Sequence, residues 1–299
     1  MPIREADPWR LQYFKAAACP PDVDIPTEDS DAWVWNPRHR WVYDKLAVAQ
    51  SQGIGAAPHG VEAPFYPIFS KPITNLRGMG IDSQPFASAA EYHASLTPGH
   101  FWMELLTGEH VSSDAALLHG RPVWWRHTTG MPGPEGTFDH WIIEATARPD
   151  IERDCGAWMV CHLAGYTGMV NIETIGGRII EVHLRFADQW PDLYGPGWVE
   201  ALIALYADQR WEFDDSTRVT GYSVVLFGAK DRRYRHPDPA IVVAINRLPG
   251  ISSTQITFHE DRETETHAMP PGGFRLAIVN ATDLHAGMAA RSVLRETFF

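Results

Sequence analysis

The sequence predicts an α+β fold, because segments with helical periodicity and segments with strand alternation are interspersed along its 299 residues. The clearest strand signal covers residues 170–185, where apolar and polar residues alternate around Gly176-Gly177 and indicate a hairpin. The clearest helical patterns cover residues 151–163 and 197–207. A chain of this length can bury a sizeable core, as one large domain or as two closely packed ones.

The other elements follow from the same two periodicities. The predicted helices, taken in order, cover residues 40–52, 88–95, 151–163, 197–207 and 283–295. The predicted strands cover residues 65–71, 100–106, 110–118, 122–127, 141–145, 223–228, 241–245, 255–259 and 274–279. Residues 1–32 are rich in Pro and Asp and are predicted to form an irregular N-terminal arm. The change of pattern near residue 217 predicts a core over residues 33–215 and a C-terminal α+β subdomain over residues 216–299.

The predicted hairpin gathers polar side chains on one face. If the apolar residues of both strands share the core face, the connection has an odd number of residues, and a three-residue loop around Gly176-Gly177 fits. The residues then placed together on the other face are Asn171, Glu173, Glu181, His183 and Arg185. Two carboxylates, an amide, an imidazole and a guanidinium suit metal and phosphate chemistry. The alternative is an exposed sheet face with a surface ion pair.

Composition excludes several classes of protein. A net charge of −12 argues against a nonspecific nucleic-acid surface, which needs basic residues in excess. No apolar run reaches membrane-spanning length, and the first residues lack the apolar core of a signal peptide. The three cysteines have neither disulfide-framework nor zinc-ligand spacing. We therefore predict a cytoplasmic protein with reduced thiols that has neither nucleic-acid nor membrane partners; its oligomeric state stays open.

Five short segments stand in an order that is typical of a known family. They read DK followed by GI at residues 44–54, YPIFSKP at 66–72, LRGMGI at 76–81, MELLTGE at 103–109 and EVHLR at 181–185. This set resembles the ATP-grasp superfamily of ATP-dependent carboxylate–amine ligases. The resemblance implies an ATP-grasp-like core of two α+β lobes with a small C-terminal α+β closing part. It also implies that the superfamily's N-terminal domain is missing or reduced to a remnant.

The resemblance assigns the nucleotide-binding residues. Lys45 and Lys71 would hold the phosphates of ATP, and Lys71 would also take part in catalysis. Backbone N–H groups at Gly78 and Gly80 would approach those phosphates. The segment at residues 103–109 would form the hinge that receives the nucleoside. Backbone groups from Glu104 to Leu106 would bind adenine, and Glu109 would accept the ribose hydroxyls.

The resemblance also assigns metal ligands and one catalytic arginine. Glu181 and Glu173, together with Asn171 or His183, would hold Mg²⁺, and Arg185 would stabilise the charge that develops during transfer. Asn171 stands where the superfamily usually has Asp or Glu, and His183 stands where it has Asn. Because imidazole suits Mn²⁺ better than Mg²⁺, Mn²⁺ is a second candidate.

Two functions are compatible with these residues. The first is an ATP-dependent ligase that activates a small-molecule carboxylate as an acyl phosphate for attack by an amine or another nucleophile. The second is a nucleotide-binding protein of the same fold that does not turn ATP over. The departures at Asn171 and His183 are the reason for keeping the second function.

Overall fold

The computed structural model describes residues 7–76, 80, 82–133, 137–263, 267 and 273–298. The helices are α1 (Pro8–Leu11), α2 (Asp29–Trp35), α3 (Lys45–Ser51), α4 (Ala89–Ala94), α5 (Pro149–His162), α6 (Trp198–Asp208), α7 (Pro239–Asn246) and α8 (Leu284–Phe298). The strands are β1 (Ala56–Pro58), β2 (Ile68–Pro72), β3 (Gln84–Phe86), β4 (His100–Glu104), β5 (His110–Leu118), β6 (Arg121–Pro132), β7 (Phe138–Ile143), β8 (Gly168–Ile175), β9 (Arg178–His183), β10 (Gly221–Gly228), β11 (Ile251–Ile256) and β12 (Phe274–Ala281). Short 3₁₀ turns cover Arg40–Tyr43 and Pro191–Leu193.

The described strands form two antiparallel sheets, which confirms the α+β prediction. The smaller sheet has the order β1-β4-β2-β3, and the larger has the order β11-β12-β10-β7-β6-β5-β8-β9. β10 pairs with β7, so the C-terminal strands extend the sheet that contains the hairpin. The division of the chain at residue 216 stays a prediction. Among the described helices, none is both long and apolar enough to span a bilayer.

Helices cover both faces of the larger sheet. On one face, Trp158 and Met159 of α5 pack against Val170, Ile172 and other buried residues of the hairpin strands. On the other face, α6 packs through Trp198 on a cluster that is rich in aromatic side chains. α8 covers β10 and β12 through a third cluster. The smaller sheet meets the hairpin through Lys71 of β2, which donates to the carbonyl oxygen of Ile180.

Two predicted elements differ in the structure. The helix expected over residues 40–52 is divided at Asp44, whose side chain accepts a hydrogen bond from the amide of Ala47 at 2.9 Å and caps α3. The strand expected over residues 241–245 was wrong, because these residues lie in α7. Pro239 at the first turn and the Asp238 cap start a helix there and override the β-branched run.

The hairpin has the predicted facing of residues but reaches it by another route. Its turn consists of Gly176 and Gly177 alone, because Ile175 pairs with Arg178. Both glycines have positive φ, at 55° and 79°. The odd residue is instead a β-bulge at Ile180, which has no partner between the pairs Thr174–Ile179 and Glu173–Glu181. The bulge brings the buried residues of both strands back to one face.

Candidate functional site

The polar face of the hairpin is built by cross-strand pairing. Asn171 lies opposite His183, and Glu173 lies opposite Glu181. The next strand, β5, continues the face, because Asp114 pairs with Asn171. Residues that lie directly opposite in a ladder share a face of the sheet. The structure therefore brings together the four predicted metal ligands.

Two lysines approach this face from elements outside the larger sheet. Lys45 is the first residue of α3, and Lys71 lies in β2 of the smaller sheet. The Nζ atom of Lys45 lies 2.8 Å from Oε1 of Glu181, and Nζ of Lys71 donates to the carbonyl oxygen of Ile180 at 2.8 Å. Each lysine is only 7% exposed. Buried ammonium groups are uncommon unless they are paired or bind a ligand.

Lysine is scarce in this chain, and this scarcity is a sequence signal that the motifs do not include. The chain has four lysines in 299 residues. Lys15 and Lys230 are exposed, as is usual, while Lys45 and Lys71 are buried beside the same strand. Lysines are usually exposed, so the burial of Lys45 and Lys71 at the same strand indicates that both have a specific role there.

Burial and charge repulsion destabilise the protonated form of Lys71. Burial, together with the charge of Lys45, lowers the pKa of Lys71 to about 8, although Glu181 and Glu173 oppose the shift. Two buried cations that lie close enough to repel each other attract an anion that neutralises both. This is the electrostatic requirement of a polyphosphate site.

The carboxylates of Glu173 and Glu181 are suited to a hard metal ion. Like charges directly opposite in a ladder repel each other, and here each has a neighbour that can carry positive charge. His110 Nε2 lies 3.1 Å from Oε2 of Glu173, and Lys45 pairs with Glu181. Burial opposes ionisation of Glu173, but the hydrogen bond and charge of His110, together with the charges of His183 and Lys45, outweigh it and lower the pKa of Glu173 to about 2.

The donor set fits a magnesium ion that completes its shell elsewhere. In the parts of the chain that the structure describes, no three His, Cys, Asp or Glu side chains are grouped to hold a metal by themselves. Mg²⁺ is usually bound through one or two carboxylates together with substrate phosphates and water. Glu173 and Glu181 supply that number of carboxylates.

His183, a predicted metal ligand, lies between two carboxylates. Its Nδ1 atom lies 3.0 Å from both carboxylate oxygens of Asp29, and its Nε2 atom lies 3.6 Å from Oε1 of Glu181. Burial disfavours the charged imidazole, but the charge and hydrogen bond of Asp29 and the charge of Glu181 together outweigh it, so the pKa of His183 is raised. Metal ligation requires a neutral imidazole nitrogen. The charges around His183 therefore disfavour the form that binds a metal, and its role as a ligand stays a prediction.

Asn171 is engaged through its amide nitrogen. Nδ2 donates to Oγ of Ser112 at 2.9 Å and to Oδ1 of Asp114 at 2.7 Å. Asp114 in turn accepts from the backbone amide of Ala187 and from the Tyr194 hydroxyl. Since the amide nitrogen is directed into this network, only the amide oxygen of Asn171 is available as a metal donor.

Asp29 belongs to the site, although the sequence placed it in the N-terminal arm. It is the first residue of α2 and is 3% exposed. Besides His183, it accepts from Nη2 of Arg185 at 2.8 Å. It is separated from these partners by more than 150 residues, so no local pattern signals the contact. The predicted catalytic arginine is thus held by a carboxylate of its own chain.

The hinge residues lie where β4 ends and β5 begins. Glu104 is exposed at the end of β4, and Leu106 packs on an apolar cluster under the smaller sheet. The carboxylate of Glu109 is bound by Arg148, with contacts of 2.8 and 3.3 Å. A cleft of about 450 Å³ adjoins this ion pair and reaches the turn glycines of the hairpin, Gly176 among them.

The glycine-containing segment at residues 76–81, which the resemblance places beside the phosphates, is described by the structure only in part. Gly78 lies outside the described residues. Gly80 is exposed and has a φ of 62°, which favours glycine. The role of both glycines stays a prediction.

The fold of this chain is similar to that of several solved structures. No family model and no curated protein matches the chain. A phosphoribosylamine–glycine ligase from Thermotoga maritima superposes with a TM-score of 0.60 at 15% identity, over 97% of this chain and 85% of that one. An L-amino acid ligase from Bacillus licheniformis gives 0.57 at 12% identity, over 89% and 72%.

A third structure was determined with nucleotide. It is the biotin carboxylase domain of a 2-oxoglutarate carboxylase from Hydrogenobacter thermophilus, in complex with MgADP and bicarbonate. The TM-score is 0.55 at 13% identity, over 86% of this chain and 66% of that one. Similarity at this level of identity establishes the fold alone: the chain has the ATP-grasp fold that the motifs predicted.

Proposed function

We propose that this chain of ATP-grasp fold is an ATP-dependent ligase. It would phosphorylate a small-molecule carboxylate with ATP, and the acyl phosphate would then be attacked by an amine or another nucleophile. The observation that carries the proposal is the pair of buried lysines beside a facing pair of carboxylates. Lys45 and Lys71 come from two different elements and meet the strand that carries Glu181.

Each of these groups has a role in that chemistry. Lys45 and Lys71 would hold the phosphates as point charges, and Glu173 and Glu181 would hold Mg²⁺. Bound Mg²⁺ would supply charge neutralisation on the phosphate oxygens. Arg185 would stabilise negative charge during transfer. The carboxylate substrate is already ionised at neutral pH, so the first step needs no general base.

The solved neighbours support the proposal through their chemistry. They include a phosphoribosylamine–glycine ligase, an L-amino acid ligase and a biotin carboxylase domain in complex with MgADP. For this chain we therefore propose ATP and Mg²⁺ as cofactors and a small carboxylate and an amine as substrates. Formation of a carbon–nitrogen bond is the reaction that these neighbours favour.

The direct test is ATP turnover with substrate pools. Purified protein is incubated with Mg-ATP and with mixtures of carboxylates and amines, and ADP is measured. Hydroxylamine is added in a parallel assay, because it converts an acyl phosphate to a hydroxamate that can be detected. We expect ADP and hydroxamate to form in at least one pool, and both to disappear when EDTA removes the metal.

Lysine variants link turnover to the proposed site. Lys45→Met and Lys71→Met should each lose turnover and stabilisation by ATP, while the exposed Lys230→Met serves as the matched control and should behave as the unmodified protein. Thermal stabilisation by ATP without ADP formation in any pool would favour the nucleotide-binding alternative. Absence of stabilisation by every nucleotide would contradict both functions.

A further inference from the structure

Asp29 is the centre of a buried polar cluster beside the proposed site. Its two oxygens lie within 3.1 Å of donors from three residues, namely Nδ1 of His183, Nη2 of Arg185 and the hydroxyl of Tyr43. The Tyr43 hydroxyl accepts in turn from the backbone amide of Leu184 at 3.1 Å. Residues 183–185 are therefore held by both side-chain and backbone contacts.

The segment that carries Asp29 is anchored by a second set of charges. Arg10 of α1 pairs with Glu28, the residue before Asp29, and with Asp188, which follows the hairpin. Thus the N-terminal segment is fixed to the loop after Arg185 by one ion pair and to Arg185 itself by another. Such repeated pairing with residues far along the chain fixes the position of Asp29.

Asp29 and its partner Arg185 differ in how much of the side chain is exposed to solvent. The side chain of Asp29 is 4% exposed, whereas that of Arg185 is 17% exposed. The Asp29 carboxylate is thus enclosed, while part of the Arg185 side chain remains open to solvent. Asp29 can therefore act on a substrate only through the residues that it holds.

We propose that Asp29 is a positioning residue of the ligase site, which fixes the guanidinium of Arg185 and the imidazole of His183 beside Glu181. The inference rests on the proposed function, since it assigns to Asp29 the orientation of a group that acts during phosphoryl transfer. A guanidinium that is held in place stabilises developing charge without reorganising, so the benefit falls on the chemical step. ATP binding, which depends on the lysines, should change little.

The test compares Asp29→Asn with a structural control. Asp29→Asn keeps the size of the side chain but removes its charge and one acceptor. Tyr43→Phe loosens the same cluster, because it removes the hydroxyl contacts to Asp29 and Leu184, yet leaves both ionic contacts of Asp29 in place. We expect kcat to fall at least about tenfold in Asp29→Asn with KM for ATP within about threefold, and kcat to stay within about threefold in Tyr43→Phe.

Coupling to the arginine gives the second kinetic readout. If Asp29 acts through Arg185, the double variant with Arg185→Lys should be no slower than Arg185→Lys alone. Full additivity, or a loss of kcat in Asp29→Asn no larger than in Tyr43→Phe, would overturn the positioning role and leave the proposed function intact.

A labelling measurement decides the inference without turnover. Phenylglyoxal modification of Arg185 is followed by peptide mass spectrometry, with the exposed Arg153 as internal reference. Arg185 should be modified several-fold faster in Asp29→Asn than in the unmodified protein or in Tyr43→Phe. If no substrate pool yields ADP, the proposed function fails, and equal labelling of Arg185 in all three proteins then overturns the positioning role as well.

Discussion

The ammonium nitrogen of Lys71 lies 2.8 Å from the carbonyl oxygen of Ile180, the residue that forms the bulge in β9. A bulge leaves its residue unpaired, so this carbonyl group is available to a lysine from the smaller sheet. The bulge therefore has two effects. It returns the hairpin to the correct facing, and it provides an acceptor that holds Lys71 beside Glu181.

The pKa of Lys71 predicts how nucleotide affinity depends on pH. With a pKa of about 8, Lys71 is mostly protonated at pH 7 and about one-tenth protonated at pH 9. We expect the dissociation constant of Mg-ATP, measured by calorimetry, to rise roughly tenfold across this range. Lys71→Met should bind weakly at both values, and an equal rise in that variant would contradict the assignment.

Lys71 also affects stability, with the opposite dependence on pH. Its folded-state pKa lies below the ordinary value of 10.5, so the unfolded chain binds more protons between about pH 8 and pH 10.5. The contribution of Lys71 to the free energy of unfolding should therefore rise with pH in that window. Urea unfolding of Lys71→Met, compared with the unmodified protein at pH 7.5 and pH 9.5, measures this contribution; a difference between the two proteins that does not change with pH would disprove it.

Glycine substitutions in the hairpin turn should differ in cost. Both Gly176 and Gly177 have positive φ, which costs an alanine about 1–2 kcal/mol. A Cβ atom at Gly176 would also collide with the carbonyl oxygen of Thr107, whereas at Gly177 it would meet open space. We expect Gly177→Ala to lower the free energy of unfolding by about 1 kcal/mol and Gly176→Ala by about 3 kcal/mol. If chemical denaturation gives the same loss of unfolding free energy for both variants, the backbone at Thr107 does not constrain the turn.

Removing one carboxylate of the facing pair should weaken metal-dependent binding. Glu181→Gln keeps the size of the side chain but loses the charge, so the Mg²⁺ concentration needed for half-maximal stabilisation by ATP should rise by on the order of tenfold or more. The variant should also unfold at a lower temperature, because Lys45 would remain buried without its partner. Glu62→Gln, from an exposed pair with His93, is the control and should leave both quantities unchanged. An unchanged Mg²⁺ requirement in Glu181→Gln would contradict the metal role.

Nucleotide analogues test the predicted ribose contact of Glu109. If its carboxylate accepts the ribose hydroxyls, Glu109→Gln should weaken ATP by several-fold but leave 2′,3′-dideoxy-ATP unaffected. If Glu109 serves only as the partner of Arg148, the variant should affect both nucleotides alike. Binding constants for the two nucleotides, measured with both proteins, distinguish these outcomes.

The sequence predicted those features that depend on neighbours along the chain. Alternation over residues 170–185 predicted the hairpin and its polar face, because side-chain facing follows from the period of a strand. It did not predict the bulge at Ile180, since a three-residue loop satisfies the same parity. The error at residues 241–245 has a local cause as well, because the cap at Asp238 competed with a β-branched run.

By itself, the sequence determined the facing of the hairpin residues, because strand periodicity and turn glycines act over short stretches, and its ordered motifs carried the resemblance to the ATP-grasp superfamily. Only the tertiary structure decided which charges meet. It paired Lys45 with Glu181, Arg148 with Glu109, and Asp29 with both His183 and Arg185. Such pairs form between residues distant along the chain, so no sequence period records the choice. Where the charges are buried, as at Lys45 and Asp29, each needs a partner.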